Sequence, residues 1–312
     1  MVSEAARTSG AGVSVVIPVY NGEAWIGRAI DSALAQGPAV AEVLVCDDGS
    51  TDGTPGLVRS FGATVSLLEA DHCGNPAGPR NRGIRAAACR LIAFLDADDA
   101  WLPGKIEAQL AALRAHPGTG LVCTNAFRQA DPAAADGLSS LLPSGAGRSG
   151  RVLDRLVLSN FIVTSSVLVR RNLLFAAGLF CDDEALGAED YDLWLRVARL
   201  APVVYLEHPW LLYRDWGASY RDEWSAAAAR SGMLRILRRA ERACRPLEPA
   251  ERRAFRRRRT RLYADAADAA EASGDVAAAR LTALRVAVRE PGERDNWGRV
   301  RRVFGFAPGG RT

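Results

Sequence analysis

Val13-Ser14-Val15-Val16-Ile17-Pro18-Val19-Tyr20-Asn21-Gly22 is the stretch whose reading decides the fold. A near-continuous apolar run of this length reads as a strand covered on both faces, the habit of a central strand in a parallel sheet. Tyr20-Asn21-Gly22 then breaks the run with a tight turn that opens a helical pattern. Ligands of open α/β sheets sit outside the carboxyl ends of such strands, so functional residues are expected at this turn and its counterparts. Two phosphate-binding motifs are absent: no G-x-G-x-x-G follows the strand, and no G-x-x-x-x-G-K-[ST] loop occurs.

Outward from this run, short apolar strands alternate with helical patterns, which predicts an α/β fold with a largely parallel sheet and helices on both faces. Strands are expected at 13–20, 42–47, 64–69, 91–96, 121–128 and 166–170, and helices at 23–36, 54–61, 78–88, 103–116, 153–158 and 189–200. Residues 130–149 are rich in Ala, Gly, Ser and Pro and have the length of a binding loop or lid. From Glu223 the pattern is almost wholly helical, with breaks at Pro246, Pro249, Gly274 and Pro291. Within it, 263–291 resembles one tetratricopeptide-type helix pair turning at Gly274-Asp275. The division expected is an α/β domain at 1–220, in two halves near 13–128 and 150–220. An all-helical annex would follow at 221–312.

Composition narrows the class. With 48% hydrophobic and 24% charged residues the 312-residue chain is globular, and no apolar run approaches the ~18 residues of a membrane span. Residues 1–12 lack the apolar core of a signal peptide, and the six cysteines form no C-x-x-C pair, so a reducing, cytoplasmic setting is expected. The net charge of +4 hides a split. Residues 1–220 carry 17 Arg and one Lys against 24 acids, whereas 221–312 carry 22 Arg against 12.

The chemistry-bearing motifs sit at the expected strand ends. The second strand ends in Asp47-Asp48-Gly49-Ser50-Thr51-Asp52. An Asp there can accept a hydrogen bond from a base N–H; equally, these are the preferred residues of a turn and helix cap. The fourth strand delivers Asp96-Ala97-Asp98-Asp99 to the same edge, and strand alternation predicts Asp96 and Asp98 on one face. Carboxylates so close repel unless a cation lies near them, and oxygen donors select hard ions that also bind substrate phosphates. Asp190 falls in the first turn of a helix with Leu193, Val197 and Leu200 as its apolar stripe. Asp192 and Arg196 read as an i,i+4 ion pair.

Together with Pro79-Arg80-Asn81-Arg82-Gly83 and Glu189-Asp190-Tyr191-Asp192-Leu193-Trp194-Leu195-Arg196, these motifs resemble, in order and spacing across 13–219, glycosyltransferase family 2. The resemblance implies a GT-A (Rossmann-like) fold and a nucleotide-diphosphate sugar donor, UDP- or dTDP-linked. It also implies a divalent ion, Mn2+ or Mg2+, and inversion at the anomeric carbon. Carried over by residue, it implies that Pro18 and Tyr20 border the base and that Asp48 hydrogen-bonds it. Arg80 would approach the nucleotide, Asp96 the ribose and Asp98 the metal, with Asp190 as general base toward an acceptor hydroxyl. One departure stands out: Trp216 occupies the place where many family members carry a His after a Tyr-Arg pair, here Tyr213-Arg214, and His208 upstream is the candidate substitute.

The Arg252–Arg261 run is the densest basic segment. It fits a solvated helix face, a dock for the acidic domain, or peripheral contact with an anionic membrane. Nucleic acid is disfavoured, because base-stacking aromatics are sparse there. The competing functional class is a non-catalytic GT-A-like scaffold acting through this basic tail.

Overall fold

The computed structural model describes residues 12–129, 138–214, 225–289, 291 and 294–304. The opening run forms strand β1 (Val13–Val19), every residue of which is buried. Its polar member is satisfied: Ser14 Oγ donates to Glu42 Oε1 and accepts from the Cys89 N–H at 3.1 Å. Strands β2 (Val40–Asp47) and β3 (Val65–Glu69) extend the sheet on one side and β4 (Leu91–Phe94) lies on the other, all parallel. The remaining strands are β5 (Ala100–Trp101), β6 (Leu121–Gln129), β7 (Ser139–Ser140), β8 (Leu168–Arg170) and β9 (Val203–Arg214). The order is β3-β2-β1-β4-β8-β6-β9-β5, with β7 paired to β6. Because β8 runs antiparallel to β4, the chain just before it reaches the same edge as the carboxyl end of β4.

Helices α1 (Ile26–Leu34), α2 (Thr54–Ser60), α3 (Ala77–Ala86) and α4 (Lys105–Ala115) connect these strands. α1 buries Ile26, Ala29, Ile30 and Ala33 against Val13, Val15, Ile17 and Val19. On the opposite face α3 approaches so closely that a Cβ on Gly83 would fall 2.5 Å from Val16 Cγ1. Two helix starts move inward. α1 starts at Ile26 because Glu23 accepts the Gly53 N–H instead of entering the helix. α4 starts at Lys105 because Gly104, after Pro103, takes φ 89°.

β9 was not anticipated from the sequence. Its alternation is interrupted by Glu207-His208-Pro209, and register shifts in the β6–β9 ladder on either side of Asn125, the partner of Pro209, accommodate a residue that cannot donate. Strand β4 ends at Phe94, two residues short of expectation, so Asp96 to Asp99 form a turn closed by Asp99 N–H to Asp96 O. Alternation therefore does not govern where these carboxylates point.

The described chain divides into two compact units, 1–152 with 160–221 and 153–159 with 222–312. Helices α6 (Arg171–Ala176) and α7 (Glu189–Leu200) belong to the first. The second comprises α5 (Leu153–Leu158), α8 (Ala226–Ala243), α9 (Pro249–Ala272), α10 (Val276–Arg289) and α11 (Arg294–Phe304). Pro249 does not break a helix but begins one, as the first residue of α9 after a Glu248–Glu251 capping box. The turn expected at Gly274 is present, with φ 78°. Small residues Ala267, Ala283 and Ala287 with Val300 form the core of α9, α10 and α11, and Arg299 forks onto Asp268 at 2.7 and 2.8 Å.

The chain's one lysine is explained by burial. Lys105 is fully buried, its Nζ donating to Gln109 Oε1 at 2.9 Å and lying 4.1 Å from the Trp101 ring centroid. Desolvation pushes its amine well below the usual lysine pKa, so it can shed its charge, which an arginine cannot do. Between the folded pKa and 10.5 the unfolded chain binds the extra proton, so stability rises with pH through that window. Lys105→Met is expected to raise stability at neutral pH. It should also remove a gain of up to about 1.4 kcal/mol per pH unit on the alkaline side. Urea unfolding of both proteins at two alkaline pH values measures it; equal slopes would show that Lys105 is charged in the fold.

Candidate active site

The carboxyl ends of β1 and β2 are stitched together by their turns. Asn21 adopts φ 48°, a left-handed conformation that Asn tolerates, and its Oδ1 accepts the Thr51 N–H at 2.8 Å while its own N–H donates to Ser50 Oγ. Asp47 is the turn residue, accepting the Ser50 N–H at 3.0 Å, and Asp48 is free of that task. Gly49, at φ 78°, lets the chain after β3 pass so close that a Cβ would sit 2.8 Å from His72 N. That approach delivers His72 and Cys73 to Asp48. His72 Nδ1 lies 2.8 Å from Asp48 Oδ2, and the Cys73 N–H lies 3.2 Å from both carboxylate oxygens. The Asp48 carboxylate is buried at the floor, whereas Tyr20 is exposed and stacks on His72 at 3.9 Å. Sequence reasoning missed His72; its position after the end of β3, on the edge where ligands sit, was the available signal.

The second focus is Arg80, in the first turns of α3. Its guanidinium is buried, donates to Asp96 Oδ1 and to Glu189 Oε1 at 2.6 Å each, and rests 5.3 Å from the Phe180 ring centroid. Phe180 packs edge-on to both Phe94 and Trp194, and Phe94 lies tilted against Trp194, which fixes α7 against β4. The Asp96 N–H donates to Ser165 Oγ at 3.0 Å, and the adjacent Thr164 hydroxyl donates to Asp190 Oδ2 at 2.9 Å. Asp96 and Asp190 are thereby brought to one place by the segment before β8. Asp192 and Arg196 form the expected ion pair at 2.6 Å, fully within the core. The apolar face of α7 consists of Tyr191, Leu193, Trp194, Leu195 and Val197; Leu200, expected on that stripe, is 45% exposed.

The three acids read as one cluster have three environments. Asp96 is ion-paired to Arg80. Asp99 is buried, accepts the Arg214 N–H at 2.9 Å, and is pushed well above the carboxylate range by burial and then by Asp98 and Asp96. Asp98 is exposed, yet the protein around its carboxyl, followed by Asp96, raises its pKa. A cation beside Asp98 would reverse that shift. Among the described residues no group of three or more His, Cys, Asp and Glu could hold a metal ion. A hard divalent ion at this turn would therefore have to take one or two carboxylate oxygens here and complete its shell from substrate phosphate and water. His208 is exposed and lies edge-on to Trp210; Trp216 falls outside the described residues.

A family model described as glycosyl transferase family 2 matches residues 14–173, just over half of the chain. The chain belongs to glycosyl transferase family 2. Among curated relatives, it is 41% identical over 102 residues to the UDP-Glc:alpha-D-GlcNAc-diphosphoundecaprenol beta-1,3-glucosyltransferase WfgD of Escherichia coli. That match covers 32% of this chain and 40% of WfgD, so the two proteins share less than half of the relative's length. Among solved structures, S. aureus TarS 1–349 in complex with UDP-GlcNAc aligns with TM-score 0.62 at 18% identity, over 94% of this chain and 80% of that one. The mannosyltransferase PcManGT from Pyrobaculum calidifontis, in complex with GDP-Man and Mn2+, aligns with TM-score 0.55 at 21% identity, over 94% and 85%. These likenesses establish the GT-A fold for this family 2 chain.

Proposed function

We propose that this family 2 chain is an inverting glycosyltransferase that moves a sugar from a UDP- or dTDP-sugar to an acceptor hydroxyl. The product would be a polysaccharide, glycolipid, glycopeptide or natural product. The observation that carries this reading is the convergence of Asp48, Asp96, Asp98 and Asp190 on one sheet edge, each in a different electrostatic setting. WfgD, named for a UDP-Glc donor and a lipid-diphosphate acceptor, supports the donor class.

In this reading residues 1–220 are catalytic and 221–312 supportive. Tyr20, stacked on His72, offers an aromatic face to the base, with Pro18 behind it, and Asp48 accepts the ring N–H that uracil and thymine share. Arg80 holds Asp96 toward the ribose. A divalent ion, Mn2+ or Mg2+, would be held by Asp98 and would neutralise charge on the departing diphosphate. Asp190 takes the proton of the acceptor hydroxyl as it attacks from the face opposite the leaving group. The Thr164 hydroxyl, donating to its Oδ2 at 2.9 Å, orients it.

A thermal-shift screen of UDP-, dTDP- and GDP-sugars tests the donor assignment. A ligand present at a hundredfold over its Kd should add about 2.7 kcal/mol of stability. The expected result is a shift with a pyrimidine nucleotide-sugar that Asp48→Asn removes. No shift with any nucleotide-sugar would favour the scaffold reading.

A further inference from the structure

Six of the ten exposed large apolar side chains among the described residues lie on two neighbouring helices of the second unit. They are Val276, Leu281, Leu284 and Val288 on α10, and Trp297 and Phe304 on α11. On α10, Ala279, Ala283, Val286 and Ala287 face inward, while Leu281, Leu284 and Val288, at i, i+3 and i+7, form one outward stripe. Exposed Arg285 flanks it, as do Arg280, whose Nε donates to Val303 O at 3.0 Å, and Arg289, which lies 4.5 Å from the Tyr263 ring centroid. A soluble surface gains nothing from such a stripe, so the stripe points to an interaction.

Charge selects the partner. Residues 221–312 carry 22 Arg against 12 acids, and on α9 Arg252, Arg253, Arg257 and Arg261 are exposed. A second copy meeting face to face would bring like charge against like charge. Nucleic acid would use the arginines but leave the Leu and Val side chains in water. An anionic phospholipid surface satisfies both, with aliphatic side chains at the acyl boundary and guanidinium groups reaching the headgroups on their long stems.

We infer that the α10 stripe of Leu281, Leu284 and Val288, bordered by Arg280, Arg285 and Arg289, docks the second unit on an anionic phospholipid bilayer. No helix among the described residues is long and apolar enough to cross a membrane, so the contact is a surface one. It is independent of the transfer chemistry, and either can fail without the other.

Cosedimentation of the full chain with vesicles of phosphatidylglycerol and phosphatidylcholine, against phosphatidylcholine alone, is the test. Binding to the anionic vesicles is expected, weakening as salt rises. The pair Leu281→Asp and Val288→Asp should lower the partition coefficient at least about tenfold, with melting temperature and donor-induced shift unchanged. Neutralising Arg285, on the stripe's own helix, to Gln should cost about fivefold at low salt. The inference is overturned by absence of binding to anionic vesicles, or by binding that the Asp pair leaves intact. It is equally overturned by a concentration-dependent dimer that the Asp pair dissolves, or by capture of duplex RNA without capture of vesicles.

Discussion

Asp190→Asn is expected to lower kcat by about 10²- to 10⁴-fold, the range of a lost general base, while leaving donor affinity and folding stability near wild type. The substitution keeps the shape of the side chain: its Oδ1 can still accept the Tyr191 N–H, at 2.7 Å from Asp190, and its amide can donate to the Thr164 hydroxyl, which turns from donor to acceptor. What it removes is the ability to take a proton. The adjacent acid provides the control. Glu189 is buried against Arg80, so Glu189→Gln should act on stability and donor binding, not on the proton-transfer step. If the two substitutions gave the same kinetic signature, or if Asp190→Asn kept full turnover, the base would have to be another group.

Arg80→Ala is expected to destabilise the first unit by about 3–5 kcal/mol, the cost of leaving buried acids without their counter-charge. The Arg80 side chain is 5% exposed, and its partners Asp96 and Glu189 are 30% and 8% exposed. Water can therefore compensate Asp96 in part but hardly Glu189. The double variant Arg80→Ala with Glu189→Gln should recover a substantial share of the loss, because it removes the more deeply buried orphaned charge. Additive losses in a urea-unfolding cycle would show that Arg80 acts through packing on Phe180 alone. Arg80→Lys should not substitute, since a single ammonium cannot fork to two carboxylates as the guanidinium does here.

The sequence made the left half of the sheet legible because that half obeys simple rules. β1 is an uninterrupted apolar run, its partners end in acidic turns, and the carboxyl-end rule then places Tyr20, Asp48 and Asp96 together. The limits were equally physical. β9 was hidden by Glu207-His208-Pro209, which breaks alternation in a strand whose ladder carries register shifts opposite the proline. The expected shared face of Asp96 and Asp98 rested on a strand that stops at Phe94. The different environments of Asp96, Asp98 and Asp99 depend on Arg80 and on burial at the turn, and spacing encodes neither. His72 reaches Asp48 only because Gly49 permits a close backbone passage, a long-range consequence of a local φ. The single lysine, conspicuous in an arginine-rich chain, became meaningful once its side chain was seen to be fully buried, where desolvation lowers the pKa of its amine.

Calorimetric titration of UDP-glucose into the intact chain, with and without Mn2+, tests the central claim most directly. Saturable binding that tightens with the metal is expected, with a metal contribution that Asp98→Ala abolishes while the metal-free affinity persists. A correctly folded chain that binds neither UDP-glucose nor any other nucleotide-sugar in the presence of Mn2+ or Mg2+ would contradict it.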